Sequence, residues 1–426
     1  MTGTSLTDGS GTASIAAPKP STVLRLLAGR GAFRLAIQAM GLVLITAWGG
    51  HDYGRFATAL GMMSWLNFVP SAAEKSALKC LPRLKTTRNA VAALAIRIAV
   101  APVLVVLAAM TVALVVAPRS DAALYLTAAG WAISGGLLMT VSGLHRLRGK
   151  STLDALAFSA GAVVVGVVTV GTWFARWSPL THLVLLLGGI LLILGASAAL
   201  LPKEWLRAER IDGHRLWPAF GRSTVLLGMT EVLDVLATSS VFGVLALAGR
   251  TVDSGPFYVA LLASSAFCSL LFYQLRVHQP TVSARMRGSG AAAGRARAAE
   301  LLKLVERGSL VFLVLVGVAL AIPAARAVLT AEDTVGAYVV LGVFVLVETV
   351  LFAVRLYAGF LIENTNSKVL TLTASASIAG LVATPLAAAA LVPAMGPVGG
   401  FAALVFAIGT RAAVLRRLLR RHHPEL

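Results

Sequence analysis

Apolar residues fill this chain in long blocks separated by short polar stretches, and block length is the first signal. A helix rises 1.5 Å per residue, so about 20 apolar residues cross the ~30 Å hydrocarbon core of a bilayer. Twelve such blocks can be drawn, at approximately 29–48, 56–78, 91–117, 122–143, 152–174, 180–201, 220–248, 256–275, 305–325, 335–360, 369–391 and 397–415. The pattern predicts an all-α polytopic membrane protein with twelve transmembrane helices. Residues 1–20 are rich in Ser, Thr, Gly and Ala and lack the apolar core of a signal peptide, so they read as a disordered cytoplasmic tail.

Composition agrees. The chain is 58% hydrophobic and only 13% charged, with mean hydropathy +0.84, far from the balance of a soluble domain. Its net charge of +19 would suggest nucleic acid in a soluble protein. Here the cations fall in short connections instead of on one face, so no nucleic-acid partner is expected. Twenty-eight Lys and Arg lie in alternate connections and only five in the others, Arg55, Arg119, Arg176, Arg250 and Arg326. Lys and Arg are retained on the cytoplasmic side. Twelve spans with both termini cytoplasmic satisfy that rule at every loop, and merging or splitting one span would break it. The expected location is the cell membrane, multi-pass.

The stretch Gly49–Leu60, GGHDYGRFATAL, has an echo 201 residues later in TVDSGPFYVAL. At that offset Asp52, Gly54, Phe56, Ala59 and Leu60 match Asp253, Gly255, Phe257, Ala260 and Leu261. The matches fall between spans one and two and between spans seven and eight. A shift of six spans preserves orientation, so the repeat predicts two parallel six-helix halves around a central cavity. The corresponding division is 1–20, a tail; 21–215, the first half; 216–415, the second half; and 416–426, a basic cytoplasmic tail.

At these residues the chain resembles the polysaccharide flippases of the multidrug/oligosaccharidyl-lipid/polysaccharide exporter superfamily. It has an Arg-bearing first helix, the loop GGHDYGRFATA, an Asp-bearing seventh helix, and HQP after the eighth. Phe257 before Tyr258 departs from the single aromatic of the family, and twelve spans argue against the fourteen-span lipid II flippases. The resemblance implies a transporter, not an enzyme. Its cargo would be a polyprenyl-(pyro)phosphate-linked glycan, moved by alternating access for cell-surface polysaccharide biosynthesis. Membrane lipid and polysaccharide polymerase or glycosyltransferases are the implied partners, and the chain is expected to act as a monomer.

Ionisable side chains inside spans cost about 2.5–3.5 kcal/mol on insertion scales, so each is a site candidate. Arg30, Arg34 and Gln38 recur every four residues on one face of span one. Arg34 and Gln38, with Lys75, Arg97 and Arg222, form the expected substrate set, since the planar guanidinium binds phosphate bidentately. Arg30 reads instead as snorkelling to the interface. Ser64, Asn67, Ser71 and Glu74 make one polar face of span two, with Pro70 inside it. Glu74 and Lys75 also suit the simple end of a span at the cytoplasmic surface.

Glu231 and Asp234 lie mid-span, three residues apart. As a coupling pair they would take up a proton or Na⁺; as a structural pair they would meet Arg34 or another cation. Glu348 and Arg355, seven apart on one face of span ten, suggest a salt-bridged gate or a packing pair. Asp154 sits one turn after Lys150 and reads as an interfacial pair. The basic connection 277–304 suggests a short amphipathic helix on anionic lipid or a solvated linker.

Several chemistries lack their residues. There is no G-x-x-x-x-G-K-[ST] loop, no catalytic triad and no Cys/His metal spacing around Cys80 and Cys268, so no cofactor or metal is expected. A multidrug or metabolite exporter of the same fold is the first alternative function, and it would favour acidic and aromatic over basic cavity walls. An integral-membrane glycosyltransferase or polymerase is the second, and it would need a sizeable outer loop that this chain lacks.

Overall fold

The computed structural model describes residues 20–81, 84, 87–206, 213–286, 288–330 and 335–424. Among them there is no strand. The helices are α1 (Pro20–Met63), α2 (Phe68–Cys80), α3 (Arg88–Val116), α4 (Asp121–Leu147), α5 (Ser151–Ala175) and α6 (Pro179–Ala199). They continue with α7 (Lys203–Leu206), α8 (Gly213–Leu247), α9 (Ser254–Arg285), α10 (Ser289–Ala321), α11 (Pro323–Thr330), α12 (Val335–Thr365) and α13 (Leu370–His422).

Ten helical runs among the described residues are long and apolar enough to cross a membrane. Two are too long for one crossing. The run Pro20–Cys80 has 61 residues, which at 1.5 Å each would be roughly three bilayer cores long. It turns back at Gly49, whose φ of 73° lies in the left-handed region that glycine adopts freely. The Tyr53 hydroxyl therefore lies against Gly41, 12 residues earlier, and the Trp48 ring meets Phe56 edge-on at 5.0 Å. The 53-residue α13 turns back in the same way at Gly396, with φ 55°. Each of these runs makes two crossings, so the described residues make twelve transmembrane helices. They are numbered here as spans one to twelve: α1 to Gly49, its continuation through α2, α3, α4, α5, α6, α8, α9, α10, α12 and the two limbs of α13.

Local chemistry sets the boundaries. Ser120 and Ser178 cap α4 and α6 by accepting from the backbone N–H three residues on, and Pro179 occupies the first position of α6. Span two breaks into a 3₁₀ turn at Ser64–Asn67 ahead of Pro70, and the Thr140 hydroxyl donates to the Pro70 carbonyl at 2.9 Å. The connection 277–304 forms no separate surface helix: α9 runs on to Arg285 and α10 begins at Ser289, so both are extensions of spans.

The apolar cores lie mostly within spans one to six or within seven to twelve, with Phe220 of span seven buried in a core of the first half. The two six-helix halves meet along spans one and two of the first and seven and eight of the second. Contacts along this seam obey the 201-residue offset. Gly41 lies against Leu262, and Gly61 lies under the Phe242 ring. Position 242 is the repeat image of 41, and 262 is the image of 61. The Ser64 hydroxyl donates to Gly61 O at 2.9 Å, and its image Ser265 donates to Leu262 O at 3.0 Å. Gln38 reaches across the seam to Leu262 O at 3.1 Å, and its image Ser239 meets Ser64 at 3.1 Å. A two-fold relation between the halves is thus written into individual contacts.

Candidate functional site

The spans' ends near the basic connections bring charged residues together in one buried chain of alternating sign. Arg30 of span one pairs with Asp154 of span five at 3.2 Å. Arg146 Nε lies 3.0 Å from the same carboxylate, and its other arm reaches Glu74 of span two. Arg276 of span eight takes the second Glu74 oxygen and also holds Glu231 of span seven at 2.6 Å. Lys75 lies 2.9 Å from Glu231 and 2.7 Å from Glu363 of span ten. Thr230 donates to the remaining Glu363 oxygen at 2.9 Å.

Every charged member of this ladder is less than a tenth exposed. Isolated charges would cost several kcal/mol each to bury, so the alternation of sign is what makes the arrangement tolerable. Aromatic rings close the sides. The Arg30 guanidinium lies over Phe158 at 4.2 Å and Tyr273 at 4.0 Å, and Arg276 lies over Phe272 at 4.3 Å. The ladder crosses the seam between the halves through Arg276–Glu74, Lys75–Glu231 and Lys75–Glu363. Tyr273 adds a fourth crossing by donating to Asp154 at 3.3 Å.

Beside it lies a cavity of about 40 Å³, walled by spans seven, eight, ten and twelve with Lys75 from span two. Asp234 is on its wall, held by Arg355 at 2.7 Å and by Arg411. Three carboxylates and four cations line it: Glu231, Asp234, Glu363, Lys75, Arg276, Arg355 and Arg411.

The residues expected from sequence distribute as follows. Lys75, Glu231, Asp234 and Arg355 come together. Arg34 sits in span one a turn beyond Arg30 and makes no ion pair among the described residues; Arg30 and, from span eight, Tyr258 are its electrostatic neighbours. Gln38 spends its amide on the seam. Arg97 and Arg222 are exposed on α3 and α8, outside the network. Glu348 is buried, but Ser264 is its hydrogen-bond donor and Arg355 pairs with Asp234, so Glu348 and Arg355 form no salt bridge with each other. Asp154 takes Arg30 and Arg146 in place of Lys150, because the helices bring two guanidiniums to a fully buried carboxylate. Arg30 is therefore inside the bundle instead of snorkelling. Glu74 and Lys75, at 1% and 5% exposure, do not end span two at a surface. Asp234 and Glu231 find cations, but Arg34 is not among them.

Sequence reasoning missed Glu363, Arg276, Arg146 and Arg411, which stand near span ends and look like connection charges. One signal existed. Lys75 and Arg276 are images at the repeat offset, as are Arg30 and Glu231.

No family model matches the chain, and no curated protein sequence does. Among solved structures it is similar to DinF-BH, a MATE multidrug transporter. The TM-score is 0.60 at 15% identity, over 94% of this chain and 95% of that one. A MATE family transporter of the MOP superfamily in an outward-facing conformation matches with TM-score 0.56 and 15% identity, over 94% and 95% of the two chains. A MOP superfamily transporter from Pyrococcus furiosus, described by a binding pocket of reverse polarity, matches with TM-score 0.54 and 14% identity, over 94% and 95%. The narrower resemblance to polysaccharide flippases rests on the sequence motifs. At these identities the likeness is one of architecture, and the chain has the fold of the MATE transporters of the MOP superfamily.

Proposed function

We propose that the protein moves a lipid-linked, phosphate-bearing glycan across the cell membrane by alternating access at the seam, with its basic end in the cytoplasm. Arg34 carries this reading. It is a half-buried guanidinium among seam residues with no carboxylate partner among the described residues, one turn from a ladder whose cations cross the seam. A phosphate entering between the halves would find Arg34 free to bind it bidentately. Lys75 and Arg276 would then exchange carboxylate for phosphate oxygens as the seam opens. The lipid tail stays in the bilayer, so the halves need to part only far enough for the head group. Glu231 and Asp234 keep their place as coupling residues in this scheme, each releasing its cation in one state.

The test is flipping in proteoliposomes. A fluorescent polyprenyl pyrophosphate-linked saccharide is reconstituted with the protein, and sidedness is read by dithionite quenching. Protein-dependent equilibration that Arg34→Gln abolishes supports the reading; a rate equal to that of empty liposomes overturns it. A multidrug exporter is the second reading, supported by the likeness to DinF-BH. It predicts efflux of a cationic dye such as rhodamine from cells expressing the chain, with no flipping of the lipid-linked probe.

A further inference from the structure

We infer that the cavity walled by spans seven, eight, ten and twelve is a binding site for a small inorganic anion of chloride size. Its volume, about 40 Å³, exceeds the roughly 10–15 Å³ that one water needs and leaves room for a small ion. The site shares Lys75 and Arg276 with the ladder at the seam, but halide binding is read without any glycan, so the assignment is tested separately from flipping.

Two donors define it. Arg276 Nε and Arg411 Nε are buried and have no acceptor among the described residues, and both side chains line the cavity. A guanidinium N–H can only donate, so a bound cation cannot satisfy them. Leaving such donors empty is costly, and a hydrogen bond between ions is the stronger kind. Gln279, 1% exposed and also on the wall, has a buried amide oxygen without a partner. Turned through a half rotation, that amide presents its NH₂ to the same space.

Charge points the same way. The four cations of the wall outnumber the three carboxylates. The excess is sharpest where Arg355 and Arg411 share the single Asp234 carboxylate. An anion between them offsets the repulsion of two guanidiniums, which neutral water does less well. Phe272, Leu275, Leu356 and Phe360 make the rest of the wall apolar, which strengthens ionic contacts inside it.

The full-length protein, purified in detergent, would be unfolded thermally in sodium chloride, bromide or gluconate at constant ionic strength. It would also be crystallised in bromide for anomalous diffraction. The expected results are a saturable rise of the midpoint in both halides over gluconate and a bromide peak in contact with Arg276 and Arg411. Gln279→Glu, which adds a negative charge to the wall, should raise the halide concentration needed for half the effect by about tenfold or more. Arg411→Gln should do the same if it folds. A halide response equal to gluconate, a bromide peak elsewhere, or identical cavity density in bromide and gluconate crystals, meaning water alone, would each overturn the assignment.

Discussion

Lys75, from the second span, reaches into the opposite half and meets Glu363, at the end of the tenth, with 2.7 Å between nitrogen and oxygen. The two residues are 288 positions apart in sequence, and their contact ties a cation of one half to an anion of the other. The Lys75 nitrogen also satisfies Glu231 and the Leu227 carbonyl at 3.2 Å. Lys75→Met would leave the buried Glu363 carboxylate without its cation and Glu231 with Arg276 alone. The expected loss is about 3–5 kcal/mol of stability, the usual cost of breaking a buried pair from one side. Adding Glu363→Gln to it should restore much of that loss. Unfolding of the single and double variants gives the coupling, and strict additivity would show that the pair carries no interaction.

Arg34→Gln behaves differently, because no ion pair breaks. Stability should stay within about 0.5 kcal/mol of the parent, while flipping of the lipid-linked probe falls to the background rate. Arg97→Gln and Arg222→Gln, both on exposed positions, should change neither quantity. A melting curve and the sidedness assay on the same three preparations check this. Loss of flipping in all three would remove Arg34 from its special role.

Small residues let the halves close. A methyl group added at Gly61 would fall on the Phe242 ring, which is itself fully buried. Gly61→Ala should cost about 1–3 kcal/mol through overpacking, and Phe242→Leu in the same chain should relieve it. Gly41→Ala should be milder, since the nearest atom it meets is the flexible end of Leu262, with the Tyr53 hydroxyl a little farther off. Thermal midpoints of the parent and the three variants give the ranking.

Ser64 and Ser239 face each other across the seam with 3.1 Å between their hydroxyl oxygens. Replaced by cysteines, in a chain whose Cys80 and Cys268 are changed to serine, they should form a disulfide on mild oxidation. Transport should then stop and return with reductant. Flipping at the full rate with the bridge intact, measured by non-reducing electrophoresis and the sidedness assay together, would show that the seam does not need to part.

The spans and their number were legible because a bilayer imposes a length on apolar blocks, and that length survives in sequence without any tertiary contact. The repeat was legible because its glycines and phenylalanines serve the same turn twice. The ladder was not. Glu363, Arg276 and Arg411 lie where a span gives way to a connection, and a charge there has the same local signature in water as in a buried ion pair. What distinguishes the two is a partner 45 to 288 residues away, as for Arg276 with Glu231 or Lys75 with Glu363. Helical periodicity cannot supply such a partner. Asp154 shows the limit plainly: Lys150 is one turn away in sequence, yet the fold delivers Arg30 from 124 residues upstream.

The two glycine contacts at the seam occupy symmetric positions but are filled asymmetrically. Both sockets, Gly41 and Gly61, belong to the first half, and both knobs, Phe242 and Leu262, belong to the second. Two copies of the first half would meet glycine to glycine and leave gaps; two copies of the second would drive Phe242 into Leu262. The halves have diverged into a lock and its key, so each accepts the other and rejects a copy of itself.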